Sequence, residues 1–287
     1  MTLQSAQQQL QIQLKTVYEE REATNISDWV MEYITGKKRL DRLLDKQLLL
    51  PEEQQNNLLK ITTELLTHRP VQYVLGEAWF AGMKFFVNES VLIPRPETEE
   101  LVEWIEEVWS LEFGVWSLLD IGTGSGCIPI AVKKKLPGGS VSSIDVSVEA
   151  LQVAKQNANT LGADIDFLVF DFLNEALWDS LPVFDVIVSN PPYIKQSEEK
   201  NMPKNVLDFE PSIALFVPDE DALLFYRKIA AFAKSHLNKK GMIFLEINET
   251  LGKEVVALFE NDGYVVELKK DLQGKDRMVR VNFQIIQ

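Results

Sequence analysis

The stretch 186–194, Val-Ile-Val-Ser-Asn-Pro-Pro-Tyr-Ile, limits what this chain can fold into more than any other. Val186, Ile187 and Val188 form a short apolar run of β-type residues that stops at Ser189. Pro191 and Pro192 have no N–H to offer a sheet ladder and hold φ at about −65°, so a strand must end there in a stiff loop. The loop presents an amide side chain at Asn190, a backbone carbonyl at Pro191 braced by the ring of Pro192, and an aromatic ring at Tyr193. Two acceptors and a ring face suit a flat, neutral NH2 group. The same residues also suit a strand followed by a proline turn and a buried tyrosine.

From residue 115 onward, strand patterns alternate with helix patterns, as in a mainly parallel sheet covered on both faces. The expected strands are 117–121, 140–145, 166–169, 184–189, 241–247, 264–269 and 279–285. No helix fits between the last two, so they pair antiparallel at a sheet edge.

Leu118-Leu119-Asp120-Ile121 runs into Gly122-Thr123-Gly124-Ser125-Gly126, and a helix then begins at Cys127. Glycines let the backbone turn tightly and approach a ligand at a helix N-terminus. Asp145, at the end of the next strand, is placed to accept hydrogen bonds from both hydroxyls of a ribose. A dinucleotide fingerprint needs glycine at position 127, where this chain has Cys127. The loop therefore suits a nucleoside without a pyrophosphate, such as S-adenosylmethionine, better than NAD. After the third strand, Asp171 is placed to accept from an adenine amino group and Phe172 to pack on the base. Glycine loop, Asp145 and Asn190–Tyr193 all stand at carboxyl ends of strands, where ligands bind in such sheets. Cys127 reads as a small packing residue.

The first 76 residues read as a helical bundle. Leu10, Leu14 and Tyr18, then Trp29, Val30, Tyr33 and Ile34, recur at helical spacing, with Asn25 or Ser27 as caps and Gly36 as a stop. A short helix follows over 38–45, and Pro51-Glu52-Glu53 starts another whose apolar face carries Leu58, Leu59, Ile61, Leu65 and Leu66. Residues 77–94 read as a connector: Trp79-Phe80 and Lys84-Phe85-Phe86-Val87, separated by Ala81-Gly82, form a β-hairpin. The third segment, 95–287, opens with Arg95 and a helix starting at Pro96. Arg95 and Glu97, taken alone, read as a surface ion pair.

Charge narrows the partners. The net charge of −14 is concentrated beyond residue 94, where 31 acidic residues face 19 basic ones, against 12 and 10 before it. Affinity for nucleic acid rests on neutralising phosphates, which disfavours direct binding to bare DNA or RNA. No apolar run approaches the roughly 18 to 20 residues of a membrane span, and the N-terminus shows neither the basic nor the apolar region of a secretory signal. One cysteine and two histidines exclude an internal disulfide and leave little for a His/Cys metal site. No metal is expected, and a cytoplasmic location is.

Taken together, these residues resemble the PrmC/HemK family, methyltransferases that modify the glutamine side-chain amide nitrogen in the Gly-Gly-Gln motif of peptide chain release factors. The resemblance also includes Arg69-Pro70-Val71-Gln72-Tyr73-Val74-Leu75-Gly76, Ile93-Pro94-Arg95-Pro96-Glu97-Thr98-Glu99, Phe209-Glu210-Pro211 with Ala214-Leu215, Phe225-Tyr226-Arg227, and Asp271-Leu272 with Gly274 and Arg277. Asn-Pro-Pro-Tyr alone is shared with adenine-N6 DNA methyltransferases and some RNA enzymes; the connector and the 93–99 stretch narrow the match. Asn248 stands where the family commonly has glycine, and Ser212-Ile213 lacks an arginine often found in that loop.

The resemblance implies an α/β class I methyltransferase fold dependent on S-adenosylmethionine. That fold has a Rossmann-like seven-stranded sheet of order 3-2-1-4-5-7-6, joined here to a substrate-recognising helical domain. It implies S-adenosylmethionine held by Gly122, Thr123, Gly124, Ser125, Gly126, Asp145, Asp171, Phe172 and Asn190. Catalysis would fall to Asn190, Pro191 and Tyr193, and substrate contacts to those three with Pro192 and Arg95. A release factor is the expected partner, and a monomer the expected state. The rival is a nucleic-acid methyltransferase acting on adenine N6 or guanine N2 of a flipped base. A cofactor-binding module without catalysis would be expected to have lost the Asn-Pro-Pro-Tyr loop, and Cys127 disfavours an NAD-linked oxidoreductase.

Overall fold

The structure, a computed structural model, describes residues 1–109 and 116–284. The chain divides into two compact units, Met1–Glu77 with Pro203–Phe209, and Ala78–Met202 with Glu210–Gln287.

The first unit is built on the helices Leu3–Leu14, Glu20–Thr35, Arg39–Leu44, Glu52–Leu65 and Val71–Leu75. Their apolar stripes meet in one core: Leu3, Ala6, Leu10 and Leu14 against Val30, Met31 and Ile34, with Leu58, Ile61 and Leu65. Gly36, at φ 65°, ends the second helix in the left-handed conformation that a side chain would disfavour. Asn25 and Ser27 do not cap that helix. It starts five residues earlier, where Glu20 and Glu22 favour its positive end, and nothing between Glu20 and Gly36 breaks it. The Ser27 hydroxyl instead donates to the Thr24 carbonyl at 2.8 Å, so the helix accommodates it. Trp29, Tyr33 and Leu59 fall on outward stripes and are exposed.

In the second unit, Ala78–Phe80 and Met83–Phe85 pair as a hairpin. Ala81 and Gly82 turn it, both at positive φ, as a two-residue hairpin turn requires. The central sheet has seven strands: β1 (Ser117–Ile121), β2 (Ser140–Asp145), β3 (Asp166–Val169), β4 (Phe184–Ser189), β5 (Leu237–Glu246), β6 (Tyr264–Lys270) and β7 (Asp276–Phe283). Their order is β3-β2-β1-β4-β5-β7-β6, the order implied by the class. β3 to β5 run parallel, and β7 is antiparallel to both β5 and β6. The first four strands have the expected limits. β5 starts earlier, because the chain leaves helix Leu224–His236 already extended at Leu237. β7 starts at Asp276, just after Gly274 turns the chain at φ 83°. The expected end of that strand, Ile285, lies outside the described residues.

Alternation along the strands feeds two cores, one on each face of the sheet. Leu119, Ile121, Ile187, Ile243 and Leu245 pack with Tyr226, Ile229 and Phe232 on one side. Leu118, Val186, Val188 and Phe244 pack with Leu101, Trp104, Ile105 and Ile130 on the other. The parallel register pairs Ile121 with Ile144 and Ser189, and Ser189 with Leu245. It therefore sets the carboxyl ends of β1, β2, β4 and β5 side by side.

Candidate active site

Gly122–Gly126 leaves the end of β1 and closes a tight loop before helix Cys127–Lys135. Gly122 and Gly124 have φ of 79° and 52°, and a Cβ added at either would meet nothing within 4 Å, so both glycines serve the backbone turn and leave room above it. The loop is tied down by the protein itself. Gly122 N and Thr123 N donate to Ile144 O at 2.9 and 3.1 Å, and Gly126 N donates to Thr123 O at 2.9 Å. Gly124 N donates to Asp145 Oδ2 at 2.9 Å. A pyrophosphate site needs such N–H groups free for phosphate oxygens. Here four of them, at Gly122, Thr123, Gly124 and Gly126, are engaged, which fits a nucleoside without a pyrophosphate better than a dinucleotide.

Asp145, at the end of β2, is held on both oxygens, because its Oδ1 also accepts from Ser147 N at 2.9 Å. Phe172 is buried and stacked on Trp178 with ring centroids 5.5 Å apart. Asp171 beside it is exposed, and its Oδ1 accepts from Leu173 N at 3.0 Å. These residues line one cavity of about 380 Å³, together with Gly122, Thr123, Gly124, Ser125, Arg95, Asn190, Pro191 and Pro192.

Gly126 and Tyr193 lie outside that lining. At Gly126 an added Cβ would come within 3.1 Å of Ile130 Cδ1 and 3.2 Å of Ala154 Cβ, so this glycine serves helix packing. Tyr193 is half-buried against the core, and its hydroxyl donates to Glu246 Oε1 at 3.1 Å. Burial and the neighbouring Glu246 push its phenol well above the usual range. Arg95 does not pair with Glu97. Its Nη2 meets Glu210 Oε1 at 2.5 Å, and Glu210 Oε2 also accepts from Ile93 N at 3.2 Å. The Glu210 side chain is only 1 % exposed, and a buried carboxylate has stronger need of a cation than a solvated one.

Several polar residues on or behind the cavity wall, Thr98 among the lining, had no role assigned from the sequence. Asn157 joins the glycine loop to the hairpin, donating to Ser125 O and Phe86 O at 2.9 Å and accepting from Phe86 N at 2.7 Å. Glu246, at the end of β5, accepts from Thr98 Oγ1 at 2.6 Å. Thr98 Oγ1 in turn accepts from Asn190 Nδ2 at 3.2 Å. Thr98 and Glu246 are 148 residues apart, and only the sheet brings them together. Burial raises the Glu246 carboxyl, opposed by these hydroxyls and by Arg277. Asp120, on β1, is also fully buried; its Oδ2 accepts from Ser143 at 2.7 Å while Oδ1 has no partner. Among the described residues, no cluster of His, Cys, Asp and Glu is arranged to hold a metal ion.

Residues 5–76 match the family described as PrmC N-terminal domain, and residues 101–208 match that described as Methyltransferase small domain. A release factor glutamine methyltransferase of Flavobacterium psychrophilum is 45% identical over 94% of this chain and 95% of its own length. One from Bacteroides thetaiotaomicron is 40% identical over 94% and 96%. A solved methyltransferase from Pyrococcus furiosus, 16% identical, covers 80% of this chain and 98% of its own with a TM-score of 0.50, which shows a shared fold.

Proposed function

The chain belongs to the family of release factor glutamine methyltransferases, and we propose that it methylates the side-chain amide nitrogen of the glutamine in a release factor's Gly-Gly-Gln motif. One observation carries the reading most: a glycine loop with four of its N–H groups already engaged shares a single cavity with Asn190 and Pro191. The donor S-adenosylmethionine supplies a methyl group already activated on a sulfonium. Gly122–Ser125, Asp145, Asp171 and Phe172 would hold it.

An amide nitrogen is a weak nucleophile because its lone pair is delocalised into the carbonyl. Asn190 through Oδ1 and Pro191 through its backbone oxygen accept the two N–H hydrogens, fixing the nitrogen and opposing that delocalisation. Pro191 suits the task because its carbonyl accepts no backbone hydrogen bond among the described residues. Holding acceptor and methyl in line supplies roughly 7 to 11 kcal/mol of the barrier. With the donor bound, its carbon–sulfur bond would break as the carbon–nitrogen bond forms, and the methylated nitrogen, strongly acidic until it loses a proton, would pass one to water, so no strong base is needed beforehand. Tyr193 acts from behind, on Glu246.

The helical domain, residues 1–76, recognises the release factor, since a tripeptide is too small to confer specificity and a second contact surface adds it. The protein works as a cytoplasmic monomer and does not bind nucleic acid directly; its acidic charge beyond residue 94 supports the latter. No described helix is long and apolar enough to cross a membrane.

The test supplies methyl-labelled S-adenosylmethionine with a release factor, its Gln→Ala variant, unmethylated DNA and ribosomal RNA in parallel. Label on the intact release factor alone is expected; label on nucleic acid would transfer the assignment to the amino methyltransferases of bases. Asp145→Ala should weaken S-adenosylmethionine binding by about 10- to 30-fold, because a carboxylate for the ribose hydroxyls and the tie to Gly124 are lost together. Calorimetric titration reads the affinity, and turnover at saturating donor should remain within about threefold.

A further inference from the structure

Asn190 has an amide with two ends, and only one suits the reaction: with NH2 toward the cavity it would repel the hydrogens it is proposed to accept. Something must fix which end points where. We propose that Thr98, held by Glu246, is a positioning residue that sets the orientation of the Asn190 amide. This rests on the functional reading above.

The proton count makes the case. Thr98 has one hydroxyl proton and two polar neighbours, Glu246 Oε2 at 2.6 Å and the Asn190 amide at 3.2 Å. Glu246 has a hydroxyl donor on each oxygen, Thr98 on one and Tyr193 on the other, as an ionised carboxylate requires, so the Thr98 proton goes to Glu246 and the Thr98 oxygen keeps only lone pairs for Asn190. Asparagine must then present Nδ2 to Thr98, which leaves Oδ1 as the acceptor for the cavity that Asn190 lines. Glu246 is itself fixed. Tyr193 donates to its other carboxylate oxygen at 3.1 Å, and Tyr226 donates to its backbone carbonyl at 3.2 Å. Thr98 and Glu246 are both buried, so water does not compete for these bonds. The Asn-Pro-Pro-Tyr loop is thus gripped from two sides by one carboxylate, through Thr98 at Asn190 and directly at Tyr193.

Thr98→Val keeps the side-chain volume and removes the acceptor. It should lower kcat on the release factor by about 10- to 100-fold, leave the S-adenosylmethionine Kd within threefold, and be rescued to within about threefold by Thr98→Ser. Thr98→Ala gives the same reading if valine packs poorly. The decisive measurement is a double-mutant cycle by single turnover: in the Asn190→Ala background, Thr98→Val should change the rate less than twofold. A merely structural role would cost the same factor in both backgrounds and overturns the proposal, as does a Thr98→Val protein with wild-type turnover. A wild-type protein that leaves the release factor unlabelled overturns the substrate reading alone, and the cycle is then read on the acceptor that does take label.

Discussion

Replacing Asn190 with alanine is expected to reduce turnover on the release factor by about a thousandfold, roughly 4 kcal/mol of transition-state stabilisation, with donor affinity nearly unchanged. The size follows from what one side chain does. Its oxygen takes one of the two amide hydrogens, and without it the nitrogen is tethered only by the Pro191 carbonyl and is free to rotate. Losses of about 100- to 1,000-fold are usual when a single preorganised hydrogen-bonding group is removed from a reacting centre. Donor affinity is spared because Gly122–Ser125, Asp145, Asp171 and Phe172, which belong to other stretches of the same lining, are left in place. Stopped-flow single turnover with labelled donor, alongside calorimetric titration, separates the two effects. An Asn190→Ala protein retaining a tenth or more of wild-type turnover would remove Asn190 from the chemistry. Equal losses in turnover and donor affinity would make it a structural support of the cofactor site instead.

The sequence disclosed the parts of this site that are local in the chain. Two prolines end a strand, three glycines turn a loop, and an acid follows the next strand; each effect acts within a few residues, so its residues reveal it. The strand limits of β1 to β4 were legible for the same reason, since apolar runs and their breakers are local signals. What could not be read was pairing across distance. Arg95 meets Glu210 rather than Glu97 because tertiary packing places the 93–95 segment over a buried carboxylate 115 residues further on. Thr98 and Glu246, or Asn157 and Phe86, meet only through the order of the sheet and the placing of the hairpin. Ser27 failed as a cap for a related reason: a favourable cap residue does not stop a helix whose acidic first turn and apolar stripe begin earlier. Tyr193 shows the limit most sharply, because a ring next to a reactive loop could face the cavity or the core, and its hydroxyl's partner lies on β5.

Asp120→Asn should flatten the pH dependence of stability by about 2.5 kcal/mol between pH 5 and 8. Asp120 sits in the middle of the sheet with one oxygen on Ser143 and the other without a partner. Burial pushes its carboxyl up to about 7, against the smaller downward pulls of the Ser143 and Thr123 hydroxyls, and the nearby Asp145 adds to the rise. In the unfolded chain the same group titrates at about 3.9. Between these values the folded protein keeps a proton that the unfolded chain has lost. The contribution is therefore fully present below about pH 4, falls as pH rises, and is gone once the folded group ionises above about pH 7. Asparagine carries no titrating proton, so the difference in unfolding free energy between the two proteins should swing toward the variant as pH increases. Urea denaturation of both at pH 5 and pH 8 reads that swing directly, and groups common to both cancel. A constant difference would mean that Asp120 already carries its charge in the folded sheet at pH 5. The asparagine also isolates a functional consequence: Asp120 lies two residues before the glycine loop, and its ionisation near neutral pH places a second negative charge close to Asp145. Donor affinity in the wild type should then vary with pH through this range, and in Asp120→Asn it should not.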